Sequence, residues 1–130
     1  MVETKKYSFE KLDVYRKSRE FNFMIFQLSE TFPQGKGIAL KIQMTRSSMS
    51  ICANIAEGTG RRIGKDQGQF YKIAYASLME TLNHLLIASD YGFISEEKID
   101  ELYRPKIDLI NAQLSALYRY SIKGSNGIPK

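Results

Sequence analysis

The 130-residue chain has no tryptophan, one cysteine, one histidine and three prolines. The single cysteine, Cys52, excludes a disulfide within the chain, and its place in an apolar row predicts a small core residue. With so few prolines, long stretches are free to form helix, and the alternation of apolar and polar residues that marks strands is hard to find. These scarcities favour an all-helical protein.

Long hydrophobic runs are also missing. No apolar run approaches the roughly 18 residues of a membrane-spanning helix. The first ten residues, MVETKKYSFE, carry two lysines without the apolar segment that follows them in a signal peptide. We therefore expect a cytoplasmic protein without membrane contact. The 43% of hydrophobic residues is enough for one compact core.

The lone histidine argues against metal chemistry. A di-iron or di-manganese bundle needs two Glu-x-x-His pairs, whereas His84 follows Glu80 by four residues. A hydrogen-bonded core or interface histidine is the expected alternative. Cys52 has no base at a spacing typical of nucleophilic catalysis. We expect no metal, no cofactor and no enzymatic activity.

Periodicity and breakers divide the chain into a flexible N-terminus (1–8), a helical bundle (9–121) and a disordered tail (122–130). Ser8 is expected to cap the first helix and Ser95 the fourth, because serine accepts the free amides of a first turn. Pro105 should kink or break the fourth helix just before it. The helices are expected from Ser8 to near Phe32, from Ile38 to Glu57, from Asp66 to Tyr91, and from Ser95 to Tyr120.

The second helix has apolar residues on two flanks. Helices of this kind are central to a bundle or shared between a bundle and a second subunit. The first helix is similar, because Phe23 and Phe26 lie off its main apolar row and either thicken the core or offer a face to another subunit. The two apolar rows of the second helix are Ile38, Ile42, Thr45, Met49, Cys52 and Ala56, and Leu40, Met44, Ile51 and Ile55.

A polar row runs along the same helix. If the second and third helices form an antiparallel hairpin, Ser50 lies near Ser77, and Arg46 lies near Glu80. One interpretation is a structural network that sets the helix register. The other is that Arg46, Asn54 and Glu57 line a cleft that binds a ligand. The residues of this predicted network are Gln43, Arg46, Ser50, Asn54, Glu57, Ser77 and Glu80.

Basic residues outnumber acidic ones, with 19 Lys and Arg against 14 Asp and Glu. This balance permits nucleic-acid partners without requiring them. The glycine-rich loop after the second helix is not a P-loop, because Gly64-Lys65 is followed by Asp66 and lies between helices. No RNA-binding motif appears, so any binding is expected to be to the phosphate backbone. The candidate residues are Arg61, Arg62, Lys65, Lys72, Lys17 and Arg19.

One stretch resembles a known family. The run Ser50-Ile51-Cys52-Ala53-Asn54-Ile55-Ala56-Glu57-Gly58, with Gln43 and Arg46 before it and Ala76-Ser77-Leu78-Met79-Glu80 after it, is similar to the bacterial four-helix-bundle family first noted in intervening sequences of 23S ribosomal RNA genes. That family, often labelled S23 ribosomal protein, is similar to the accessory variability determinant proteins of diversity-generating retroelements. The resemblance spans about residues 9–120. Ala76 departs from the glycine that many relatives carry.

The resemblance implies an antiparallel up-down four-helix bundle that closes into a barrel-like homopentamer. It also implies a non-catalytic role in association with nucleic acid, either RNA or DNA. An alternative function from the residues is a protein scaffold whose basic surface docks an acidic partner, for instance a reverse transcriptase-like enzyme. The two functions differ in what binds the cations of the loop.

Overall fold

A computed structural model describes residues 2–125, with side chains to residue 123, and contains no strand in that range. The chain forms four long helical segments, the last of which is built from three consecutive pieces. The all-helical prediction is confirmed. The elements are α1 (Asp13–Ser29), α2 (Ile38–Thr59), α3 (Lys65–Asp90), α4 (Glu96–Lys98), a π-helical segment (Ile99–Tyr103) and α5 (Arg104–Ser125).

The start of the first helix differs from the prediction. Ser8 does not cap α1 but opens a separate 3-10 turn, Ser8–Lys11, in which the backbone N–H of Tyr7 donates to the Glu10 carboxylate at 2.8 Å. Leu12 then adopts an extended conformation, so α1 begins only at Asp13. The predicted Ser8 cap was wrong because the extended Leu12 separates the 3-10 turn from α1.

The junction between α1 and α2 lies close to its predicted position. α1 ends at Ser29, and the hydroxyl of Thr31 donates to the carbonyl of Leu28 at 2.7 Å in the turn that follows. Gly37 then takes a left-handed conformation with φ +66°, which glycine adopts without steric cost. α2 begins at Ile38 as predicted and continues to Thr59, two residues beyond the expected end.

The fourth helical segment begins as expected. The hydroxyl of Ser95 accepts a hydrogen bond from the backbone N–H of Lys98 at 3.1 Å, which confirms the cap. The π-helical segment Ile99–Tyr103 ends two residues before Pro105, and it lies where the kink or break was predicted. Proline has no N–H to donate and its ring crowds the preceding turn, so a widened turn accommodates it.

The core is built from one apolar side of each long helix. Leu40, Met44 and Ile51 of α2 are buried, as predicted for one of its rows. The other row is only partly covered in the single chain, and Met49 in its middle is 60% exposed. Cys52 of this row is partly buried and not a core residue, so that prediction was wrong, because the row faces away from the core. Phe23 of α1 is 58% exposed, so the off-row aromatics do not thicken this core. The remaining core residues include Val14, Phe21, Ile25, Tyr71, Ala74, Leu78, Leu85, Ala88, Ile99, Ile107, Ile110 and Leu114.

The last helix is longer than expected. α5 continues to Ser125, beyond the predicted end of the bundle at residue 121, and Ser121 is fully buried. Residues 2–7 have no regular secondary structure and are exposed. The flexibility predicted for residues 1–8 stays a prediction, and residue 1 and the tail from residue 126 lie outside the described residues.

Candidate nucleic-acid interface

A hydrogen-bonded polar seam joins α2 and α3. The hydroxyls of Ser50 and Ser77 lie 2.8 Å apart, which is the pairing that the sequence predicts. The amide of Asn54 donates to the carbonyl oxygen and the hydroxyl of Ser50, at 2.8 and 3.0 Å. The contact between Ser50 and Ser77 joins the two helices, and Asn54 extends it within α2.

A second pair in this seam escaped the sequence analysis. The hydroxyls of Ser47 and Thr81 lie 2.7 Å apart, and both residues are buried. The hydroxyl of Thr81 also donates to the backbone carbonyl of Ser77 at 2.8 Å. The spacing was a usable signal, since Ser47 lies three residues before Ser50 and Thr81 four residues after Ser77.

The charged members of the predicted network lie elsewhere. Arg46 is exposed and makes no contact with Glu80 in the described chain; Glu80 instead lies 3.3 Å from Nε2 of His84. Glu57 is exposed and accepts a hydrogen bond from Arg61 at 2.8 Å. Gln43 is exposed as well. Each helical residue is rotated by about 100° from its neighbour, so Arg46 turns to solvent where Ser47 turns inward.

We expect Thr81→Val to lower the free energy of unfolding by about 1–2 kcal/mol, because it removes a buried hydroxyl and leaves Ser47 only a local carbonyl. Arg46→Met should change it by no more than about 0.5 kcal/mol, because Arg46 is exposed and unpaired. Urea unfolding monitored by circular dichroism measures both. An Arg46 variant that loses more stability than the Thr81 variant would contradict this placement.

His84 and Cys52 are the histidine and the cysteine considered for metal or covalent chemistry in the sequence analysis. The described residues contain no group of three His, Cys, Asp or Glu side chains that could hold a metal ion. Nδ1 of His84 is buried without a hydrogen-bond partner in the described structure. Burial raises the pKa of the Cys52 thiol to about 11, so the reactive thiolate is scarce at neutral pH.

Arg61 is already neutralised within the protein. Its guanidinium lies 2.8 Å from the Glu57 carboxylate and 3.6 Å from that of Asp66. The same group lies 4.8 Å from the centre of the Phe70 ring, in cation–π geometry. Arg61 is therefore a structural residue of the turn rather than a free cation.

The end of α5 is tied to this turn. The side-chain amide of buried Gln67 donates to the carbonyls of Gly58 and Arg61, at 3.1 and 3.2 Å. Its oxygen accepts a hydrogen bond from Ser121 at 2.7 Å. Gln67 thus joins the last turn of α2 and the loop after it to α5, and the Ser121 turn of α5 lies beside the start of α3.

Two cations of α5 consequently lie at the same end of the bundle as those of the loop. Arg119 and Lys123 are exposed within one turn of Ser121, and the sequence analysis did not single them out. Arg62, Lys65 and Lys72 are likewise exposed, and none of these five forms an ion pair with another described residue. We call the five together the basic end of the bundle; its members are Arg62, Lys65, Lys72, Arg119 and Lys123.

The cations of α1 form ordinary helix surface. Lys17 lies 3.9 Å from the Glu20 carboxylate, and Arg19 lies 5.9 Å from the centre of the Tyr15 ring. A hydrogen bond from Lys106 lowers the pKa of Glu20, which stays ionised beside these cations. Lys17 is therefore partly neutralised, and these two candidate residues are less available to phosphate than the basic end.

Comparison with known proteins adds a family. The sequence matches the family described as 23S rRNA-intervening sequence protein over residues 10–116. Comparison with curated proteins gives no match. No helix within residues 2–125 is long and apolar enough to cross a membrane. Because the match covers most of the chain and the fold is a four-helix one, the protein belongs to the 23S rRNA-intervening sequence protein family.

Proposed function

We propose that this protein is a non-catalytic, oligomeric helical-bundle protein that binds the phosphate backbone of RNA or DNA with its basic end. The observation that carries the proposal is the gathering of five exposed cations without ion-pair partners at one end of the described bundle. The family name, which refers to an intervening sequence of 23S rRNA, supports a nucleic-acid role. A cytoplasmic location is part of the proposal.

The chemistry of these cations suits phosphate more than base edges. Lysine and arginine release counterions when they neutralise phosphates, and this term does not depend on sequence. The sequence has no recognised nucleic-acid-binding motif, so little direct sequence readout is expected. Five cations on one protomer give modest affinity, and a ring of protomers would repeat the basic end and add avidity.

An up-down bundle within a closed homopentamer is the assembly we propose. Along α1 and α2, Asn22 contacts Ser48 at 2.9 Å and Glu30 contacts Lys41 at 2.9 Å, which supports neighbouring helices that run in opposite directions. The exposed apolar row of α2 supplies a surface for a neighbouring protomer. Exposed apolar patches of this kind mark interaction surfaces.

The test of the proposal is a variant in which three cations of the basic end are neutralised: Arg62→Gln, Lys65→Gln and Lys72→Gln. The matched control removes three positive charges away from the basic end that are exposed and unpaired among the described residues: Lys36→Gln, Arg46→Gln and Lys98→Gln. Fluorescence anisotropy with two unrelated oligonucleotides, measured across a salt series, gives the affinity and its salt slope. Both variants remove the same charge from the formal net charge of +5.

We expect the basic-end variant to flatten the salt slope for single strands by about 2, since each lost phosphate contact contributes about 0.7. Its affinity for the two oligonucleotides should fall by similar factors, whereas the control should keep most of the slope. A wild-type protein without salt-sensitive binding, or equal losses in variant and control, would refute backbone binding at this end.

The second candidate is a protein scaffold, which the exposed apolar row of α2 favours. In that case the same cations would dock an acidic protein, for example a reverse transcriptase-like partner, with no nucleic-acid contact. Buried apolar area would supply most of the affinity and the charges would steer association. The salt series separates the two functions, because a scaffold of this kind would show no salt-sensitive binding to either oligonucleotide.

A further inference from the structure

A groove runs between α3 and α5 next to the basic end. Its volume is about 420 Å³, which is large enough for a planar ring system. Three tyrosines and one lysine contribute to its walls, and the rest of the lining is small or apolar. The lining residues are Tyr71, Lys72, Tyr75, Ala76, Leu114, Ser115 and Tyr118.

The three tyrosines differ in how far their side chains are exposed. Tyr71 is buried, and its hydroxyl lies 3.1 Å from that of Thr59, so this ring is held in the floor. Tyr75 is 44% exposed and Tyr118 is half-buried, so both present ring surface at the opening. The described structure assigns neither of them an aromatic neighbour. These two rings are therefore free to stack on a ligand.

The charge beside the groove is positive. Lys72 lines it directly, and Lys65 lies two turns earlier on α3. Arg119 follows Tyr118 on α5. The acidic residues nearest to the lining along these helices are Asp108, about 10 Å before Ser115 on α5, and Glu80, one turn after Ala76 on α3 and on the far side of the groove from Lys65. Flat apolar rings beside unpaired cations match a ligand that carries both aromatic bases and phosphates.

We propose that this groove binds single-stranded nucleic acid, with a base stacked against Tyr75 and Tyr118 and the flanking phosphates on Lys72 and Lys65. The inference rests on the proposed function and deepens it, because it specifies an unpaired strand. A base inside a duplex cannot reach rings set between two helices. Aromatic stacking platforms beside a positive groove are the usual means of holding single strands without sequence readout.

The chain has eight tyrosines and no tryptophan, so its intrinsic fluorescence comes from tyrosine alone. Two probes of equal length are compared: a 12-nucleotide deoxythymidine oligomer and a 12-unit abasic deoxyribose-phosphate oligomer. Anisotropy of labelled probes gives the affinities, and quenching of tyrosine fluorescence reports stacking. Wild-type protein should bind the base-bearing oligomer about tenfold more tightly, with quenching that the abasic oligomer does not produce.

Tyr75→Ala should remove most of that preference and weaken only the base-bearing complex, about tenfold. Tyr75→Phe keeps an aromatic ring and should behave as the wild type. Tyr120→Ala is the matched control, because Tyr120 is 61% exposed on α5 and does not line the groove. Circular dichroism verifies that each variant is folded.

The outcomes separate this inference from the proposed function. If both oligomers bind equally with a steep salt slope and Tyr75→Ala changes neither, backbone binding stands and the groove proposal falls. If neither oligomer binds the wild type, both fall. If Tyr75→Ala changes the sedimentation of the protein but not its preference for bases, the groove is a contact between copies, which also overturns the proposal.

Discussion

Replacing Phe21 by alanine is expected to lower the free energy of unfolding by about 3–5 kcal/mol. Phe21 lies in the middle of α1 and is completely buried. Truncation of a buried aromatic side chain removes its transfer free energy and leaves a cavity that the surrounding helices fill only in part. Proteins of this size have about 5–15 kcal/mol of stability in total, so the loss is severe.

The measurement is urea unfolding at one fixed protomer concentration, since self-association would make stability depend on concentration. Tyr120→Ala is the matched control, because it truncates an aromatic residue that is mostly exposed. It should change the free energy of unfolding by no more than about 0.5 kcal/mol. Similar losses for Phe21→Ala and Tyr120→Ala would contradict the placement of α1 in the core.

The second large effect concerns self-association. We expect wild-type protein to sediment as an oligomer, and we expect Ile42→Glu combined with Met49→Glu to convert it to the 14.9 kDa protomer. Both residues belong to the exposed apolar row of α2. Phe23 and Phe26 of α1 are also exposed, and α1 packs beside α2 through the contact of Glu30 with Lys41. A glutamate buried in an apolar interface leaves an unpaired charge, which is costly.

Sedimentation equilibrium at micromolar concentration decides the outcome, and the proposed homopentamer predicts about five times the protomer mass. The control places two glutamates on another exposed apolar pair, Leu102→Glu and Leu109→Glu. It should leave the oligomer intact. A wild-type protein that sediments as a protomer would refute the interface. Dissociation by the control alone would place the contact on the opposite side of the bundle.

Helical spacing predicted only some of the contacts between α2 and α3 correctly. Spacing correctly paired Ser50 with Ser77, since both lie where α2 and α3 touch. The same spacing predicted a contact between Arg46 and Glu80, but both are exposed. Periodicity assigns a residue to a face of its helix. How far around that face the neighbouring helix extends depends on the packing of the other helices.

Helical class, the start of α2 at Ile38 and the Ser95 cap follow from the sequence alone, because periodicity, glycine breakers and capping are local chemistry. Which apolar row of α2 is covered does not follow from it, because both rows carry large apolar side chains and only the positions of the neighbouring helices select one. The place of Arg119 at the basic end is likewise a tertiary result. Ser121, two residues after it, is hydrogen-bonded to Gln67, and these two residues are far apart along the chain.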